Sequence, residues 1–343
     1  MRIILDVSPL SHPRTGVGNY IRGSLAGLAE TEHEVVAFAP ASRAGRRRIE
    51  AALEGIDVQR RLPALPAAHA LRTGWSRLGR PPLERLVGAF DVLHFSDWMY
   101  PPQSAGLRST MVHDLVPLHH PGWVHRRTER MHGAKYAHAA RTCDVIVTNS
   151  RYTADDVAAT LAFPRERIHV AYPGVDPAFT PEGSRGEGNY VLAVGTLEPR
   201  KNLARAIEAV QGRELRVAGA RGWGGVEARG DRVTWLGSLD DAELARQYRG
   251  AAAVVYPSKF EGFGMPIVEA MACGTPVVAS AHPSMDEASG DAALRADPDD
   301  AGAIAAAIEE AVTRRDELAA RGLEHARGFT WAANARAHLE AWS

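Results

Sequence analysis

The chain has 343 residues, 45% of them apolar and 24% charged, which suits two domains with packed cores and excludes a disordered polypeptide. Forty Lys and Arg against 41 Asp and Glu leave a formal charge of −1, which argues against nucleic-acid binding through a whole-protein field. Only two cysteines, Cys143 and Cys273, are present, and the first apolar run ends at Asp6; a disulfide scaffold, a Cys-rich metal module, a spanning helix and a signal peptide are therefore not expected, and a soluble cytoplasmic protein is.

Short β-branched runs alternate with helical stretches. The pattern predicts strands over 2–7, 34–39, 91–95, 109–113, 144–148 and 168–172, and helices over 17–30, 46–54, 123–140 and 153–162. The stretch DPAFTPEGSRGEGN, beginning at Asp176, breaks the pattern with Pro, Gly, Ser and charge. The alternation then resumes, with strands over 190–194, 214–218, 232–236, 253–256 and 276–279 and helices over 203–211, 240–248, 266–273, 301–314 and 316–327. Continuous apolar runs bounded by helices indicate parallel strands buried on both faces. The expected architecture is two doubly wound α/β domains, 1–176 and 190–328, joined by a linker over 177–189 and followed by a terminal segment 329–343. Ligands of such sheets sit beyond the carboxyl ends of the strands, so a cleft between two facing domains is expected.

The densest chemistry lies in YPSKFEGFGMPIVEAMACGT, from Tyr256. A strand ends at Pro257, a glycine-broken loop carries Glu261, Gly262, Phe263 and Gly264, and Pro266 suits the first turn of a helix. Free amides at that helix start form an anion site, and Glu269, one turn inside, points back towards it. A second loop, GTLEPRKN, follows the strand YVLAV and offers Arg200 and Lys201, a pair able to neutralise a diphosphate. Taken singly, the two acids also fit surface or capping positions, and the two cations a solvated pair. Gly16 and Gly18 open a further helix, without the third glycine of a dinucleotide fingerprint; a plain turn fits there as well. His113 and Asp114 end the strand STMV, where a side chain would face a ligand. Seven histidines fall between His94 and His138, but their spacings match no helical metal pair, and Asp297-Pro298-Asp299 reads as a solvated turn.

Together the segments GVGNY, HD, VTNSRYTADDV, PGVD, GTLEPRKN and EGFGMPIVEAMACGTPVVAS resemble a retaining glycosyltransferase of the GT-B class, family four, in order over nearly the whole chain. Glu261 and Glu269 stand as that family's Glu-x7-Glu signature, and the EPRKN form is similar to its mannosyltransferase-like branch. Thr196 stands where many members carry Arg, which makes Arg200 the substitute cation. The resemblance implies two facing Rossmann-like domains and a nucleoside diphosphate sugar as co-substrate, with no cofactor and no metal. It places Glu269 on the ribose hydroxyls and Arg200 and Lys201 on the diphosphate. The amide of Gly16, at the helix start shared with Gly18, assists. Glu261 and the amides of Phe263, Gly264 and Met265, in the loop with Gly262, lie near the sugar and phosphates, and His113, beside Asp114, contacts the donor sugar. The implied reaction moves a hexose, with GDP-mannose favoured over UDP- or dTDP-sugars, to the hydroxyl of a glycan, lipid-linked or small-molecule acceptor with retained configuration. In such folds the last helix crosses back onto the N-terminal domain, which points to residues 331–342. Two other classes share these features: a nucleotide-sugar epimerase or hydrolase, and a non-catalytic nucleotide-sugar binder.

Residues 41–85 carry ten Arg against four acids, and Trp75, Leu78, Leu83 and Leu86 interleave with the later ones. Such a stretch suits an Arg-rich solvated face, and equally a peripheral contact with an anionic inner membrane face or an anionic acceptor, with the Trp and Leu as anchors.

Overall fold

The computed structural model describes residues 1–65, 70, 74–75, 78–96, 100–210 and 212–343. The chain divides into two compact units, Met1–Gly174 with Trp331–Ser343, and Val175–Thr330.

The first unit is built on a parallel sheet of β1 (Arg2–Asp6), β2 (Glu34–Phe38), β3 (Gln59–Arg61), β4 (Val92–Phe95), β5 (Leu107–Val112), β6 (Val145–Thr148) and β7 (Ile168–Val170), in the order β3-β2-β1-β4-β5-β6-β7. β4 and β6 are buried along their whole length, as strands covered by helices on both faces must be. Helix starts are set by caps rather than by the apolar pattern. Thr15, Ser42, His125 and Ser150 accept from the amides of Gly18, Gly45, Arg127 and Thr153, so the helices run Gly16–Ala29, Arg43–Ala52, Arg126–Thr142 and Arg151–Leu161. β3 was not expected: its three residues are exposed and carry no apolar alternation, and only the pairing of Val36, Ala37 and Phe38 with Gln59, Arg60 and Arg61 makes them a strand.

The helix Trp331–Trp342 packs in this unit against Gly16–Ala29. The approach is close enough that a Cβ on Gly23 would lie 2.0 Å from Trp331 Cε2, and one on Gly27 2.2 Å from the Trp331 carbonyl oxygen. Asn334, His338 and Trp342 share the buried face of the helix. Asn334 Nδ2 donates to the Tyr172 carbonyl at 2.7 Å, and Trp342 Nε1 donates to Ser109 Oγ at 3.0 Å.

In the second unit β8 (Tyr190–Val194), β9 (Glu214–Ala218), β10 (Val233–Gly237), β11 (Ala253–Tyr256), β12 (Val277–Ser280) and β13 (Leu294–Ala296) form a parallel sheet in the order β10-β9-β8-β11-β12-β13. Residues 177–189, expected as a linker, are fastened to this unit. Phe179 meets Tyr248 edge to face at 5.8 Å, Arg249 donates to the Thr180 and Ser184 carbonyls, and the Gly186 amide donates to the Arg246 carbonyl.

The basic stretch 41–85 requires a correction. Trp75 and Leu83, read as possible surface anchors, are 2% and 0% exposed and belong to a core with Ile4, Val36, Phe38 and Leu93. Burying an indole against Phe38, 6.1 Å away, removes far more apolar surface from water than an exposed site would. Leu78 and Leu86 are exposed, as are Arg43, Arg46, Arg47 and Arg48, whereas Arg72 and Arg77 lie outside the described residues.

Candidate active site

The two diagnostic loops of the second unit leave neighbouring strands, β8 and β11, at their carboxyl ends. After β8 the chain turns at Gly195 (φ +153°), where a Cβ would sit 3.2 Å from the Lys201 side chain. A single turn, Pro199–Lys201, then presents Arg200 and Lys201, and Asn202 ties the loop down by donating to the Pro257 and Pro298 carbonyls. After β11 the loop passes through Glu261 and reaches Gly264 (φ +101°), which caps the helix Met265–Ala272 with Pro266 in its first turn. Only glycine adopts that φ without strain.

The loops meet in one charged cluster. Lys201 Nζ donates to Glu261 Oε1 and to the Tyr256 hydroxyl, each at 2.7 Å. Arg200 Nη1 donates to Glu261 Oε2 at 2.7 Å and to the Phe260 carbonyl at 2.8 Å, while Nη2 donates to Glu198 Oε1 at 2.7 Å. Ser258 Oγ donates to Glu261 Oε1, and the Glu261 amide donates to Ser284 Oγ at 3.0 Å. Burial alone would raise the Glu261 carboxyl; Arg200 and Lys201, with hydrogen bonds from Lys201 and Ser258, outweigh it and hold it at about 2. Burial pulls the Lys201 ammonium below its usual range even though Glu261 supports its charge, and pushes the Tyr256 hydroxyl far up. Glu261 is thus a carboxylate and Tyr256 a neutral donor at any physiological pH. Two cations face two carboxylates, so the cluster as a whole is neutral. Thr196, in place of the usual Arg, lines a small pocket with Gly195, Lys201, Tyr256 and Pro257. Glu269 is 7% exposed and accepts from the Tyr248 hydroxyl at 3.1 Å.

In the first unit His113 follows β5 and meets Tyr20 edge to face at 5.1 Å. Its Nε2 is buried and has no hydrogen-bond partner among the described residues; burial first, then Lys135, His132 and His338, lowers its pKa to about 3. It is a neutral imidazole. Asp114 accepts from the Val116 amide at 3.0 Å and so closes the turn after the strand. The Gly18 amide is taken by its own cap, Thr15 Oγ1, at 3.2 Å, whereas space beside Gly16 is open. Among the described residues no group of three or more His, Cys, Asp or Glu is placed to hold a metal ion, and no helix is long and apolar enough to cross a membrane.

Sequence reasoning singled out Arg200, Lys201, Glu261 and Glu269 but passed over Glu198, Tyr256, Ser258 and Ser284. Glu198 lay inside the quoted GTLEPRKN without a role, and no local signal connects Ser284 to Glu261, 23 residues before it.

Comparison with known proteins places the chain in a family. Residues 14–179 match the model of Glycosyltransferase Family 4, and residues 176–328 that of Glycosyl transferases group 1. The chain is 29% identical to O-antigen chain mannosyltransferase B of Escherichia coli, over 96% of each protein. It is 33% identical to D-inositol 3-phosphate glycosyltransferase of Mycolicibacterium smegmatis, over 58% of this chain and 52% of that protein. Among solved structures, WaaG, a glycosyltransferase involved in lipopolysaccharide biosynthesis, superimposes with a TM-score of 0.71 over the full length of both chains at 15% identity. Anabaena Alr3699/HepE in complex with UDP and glucose gives 0.70 over 99% of this chain and 98% of that one at 17% identity. With two parallel α/β units of this topology and two family models that together span residues 14–328, the chain belongs to the GT-B glycosyltransferases of family 4.

Proposed function

We propose that the protein transfers a mannosyl group from a nucleoside diphosphate sugar, GDP-mannose, to an acceptor hydroxyl with retention of configuration and without a metal ion. The bond from the anomeric carbon to the leaving phosphate oxygen breaks, the acceptor oxygen bonds on the same face, and its proton passes to the leaving phosphate. Charge builds on that phosphate, and preorganised donors aimed at it supply the acceleration, about 10²–10³ for each in comparable sites. Lys201 and the amides of Phe263, Gly264 and Met265 are the donors assigned here, with Glu269 on the ribose hydroxyls, Gly16 assisting and His113 on the sugar. The donor is a co-substrate, and no cofactor enters.

The observation that carries this reading is the buried Lys201–Glu261 pair at 2.7 Å, with Glu261 four residues before the start of the helix Met265–Ala272. A buried ion pair is costly to desolvate, and binding a charged ligand gives it a purpose. Mannose is favoured by the likeness to an O-antigen mannosyltransferase; a UDP-hexose is the second reading, favoured by the fold shared with a UDP and glucose complex. The exposed Arg43, Arg46, Arg47 and Arg48 support an anionic acceptor or a peripheral contact with anionic lipid.

The test is release of nucleoside diphosphate from GDP-mannose, UDP-glucose and dTDP-glucose, with and without candidate acceptors, followed by NMR of the product's anomeric proton. Equal release without acceptor would make the protein a hydrolase; binding without turnover would make it a binder.

A further inference from the structure

Glu198 has no part in the assignment above, yet it is 4% exposed, ionisable and beside the reacting loops. Its Oε1 accepts from Arg200 twice, from Nη2 at 2.7 Å and from Nε at 3.1 Å. The other edge of the same guanidinium holds Glu261 Oε2 and the Phe260 carbonyl. The Arg200 backbone is fixed too, since its carbonyl accepts from the Lys259 amide at 2.9 Å. A planar fork gripped on both edges does not swing towards a ligand without breaking charge-assisted bonds in a largely buried place. Arg200 is therefore a strut between the loop after β8 and the loop after β11. Charge balance adds a second consequence. Lys201 and Arg200 face Glu198 and Glu261, so a diphosphate arrives at a neutral cluster; without Glu198 it would meet a net positive charge.

We propose that Glu198 is a positioning residue for sugar transfer: it clamps Arg200, through Arg200 it fixes the Glu261 carboxylate, and its charge keeps the site neutral so that the nucleoside diphosphate product leaves. This rests on the reading of the donor as a nucleoside diphosphate sugar. The isosteric Glu198→Gln variant keeps an acceptor for Arg200 and removes the charge.

The probes are GDP and UDP, measured by calorimetric titration against the wild-type chain and Glu198→Gln, with kcat and KM for the best donor. Removing one unit charge several ångströms from a diphosphate in a partly buried site is expected to tighten its binding about 10- to 30-fold. kcat falls at least tenfold while KM falls with it, because product leaves slowly. Glu198→Asp, which restores the charge, returns nucleotide affinity to the wild-type range. A residue that served only to hold the fold would weaken binding instead, and weaker or unchanged affinity with unchanged kcat overturns the proposal. Stability supplies an arm that needs no nucleotide. If Glu198 and Arg200 act as one strut, the urea losses of Glu198→Ala and Arg200→Gln are non-additive in the double variant; additive losses overturn the strut. A wild-type chain that binds neither nucleotide refutes the donor reading, and the urea cycle then decides the strut by itself.

Discussion

Acidification should weaken the first unit through three buried histidines. His94, His113 and His338 surround the aromatic seam between the sheet and the helix Trp331–Trp342, with His94 and His338 rings meeting edge to face at 5.2 Å. His338 Nδ1 lies 3.0 Å from the Asn334 carbonyl, which can only accept, so the ring carries its proton on Nδ1 and leaves Nε2 unpartnered. His94 Nδ1 lies 2.9 Å from Ser109 Oγ, which also accepts from Trp342 Nε1, and burial keeps the His94 ring neutral as well. Burial holds His338 at about 4 and His113 at about 3, and places His94 well below its usual range. The unfolded chain protonates these groups near pH 6.5, so it binds more protons than the folded chain throughout the window from about 4 to 6.5. Stability is therefore complete above pH 6.5 and falls as pH drops through that window. Between pH 7 and 5 His338 and His113 each remove about 2 kcal/mol, and His94 adds to the loss, a large part of an ordinary domain's 5–15 kcal/mol. Urea unfolding followed by circular dichroism at pH 7 and pH 5 measures the loss. His338→Asn keeps a donor for Asn334, and should be less stable at pH 7 but lose about 2 kcal/mol less on acidification. Equal urea midpoints at the two pH values, or an unchanged loss in His338→Asn, would refute the neutral buried seam.

Gly27→Ala puts a methyl 2.2 Å from a backbone oxygen of Trp331, which cannot rotate aside; a destabilisation of about 1–3 kcal/mol is expected in thermal unfolding, and an unchanged midpoint would contradict the seating of the terminal helix. Glu269→Ala removes a buried carboxylate from the start of the helix Met265–Ala272 and should weaken nucleotide binding and turnover by about 10- to 150-fold, from a lost charge-assisted bond of roughly 1.5–3 kcal/mol; unchanged kinetics in a folded variant sinks the ribose assignment. Activity should survive excess EDTA, because Lys201 and the helix amides are assigned the leaving charge; loss rescued by a divalent ion would show that the diphosphate site is wrongly drawn.

Much of the fold was readable from local pattern. The strands Tyr190–Val194, Glu214–Ala218 and Ala253–Tyr256 coincide with their predicted bounds, because continuous apolar runs between loop and helix signals leave a parallel strand buried on both faces few alternatives. The strands β3 and β13 were invisible, being three residues long and partly exposed, and they exist only because a neighbour offers a free edge. Helix starts moved by one to three residues because a single side-chain oxygen or ring nitrogen at Thr15, Ser42, His125 or Ser150 decides them, not the apolar period. Trp75 shows the reverse limit: a Trp among arginines reads as an anchor until Phe38 and Leu83 are seen to enclose it.

In the candidate site, sequence alone identified the two loops and four of their charged residues, since glycines, a helix-initiating Pro and adjacent cations are local chemistry. Tertiary structure decided what those charges do. Arg200 is held by Glu198 on one edge and by Glu261, 61 residues away, on the other, and Trp342 reaches Ser109 across 233 residues. Periodicity reports which face of an element is apolar. It carries no information on which distant polar group will complete a buried hydrogen bond, because that depends on how whole elements pack, and only the packed chain determines it.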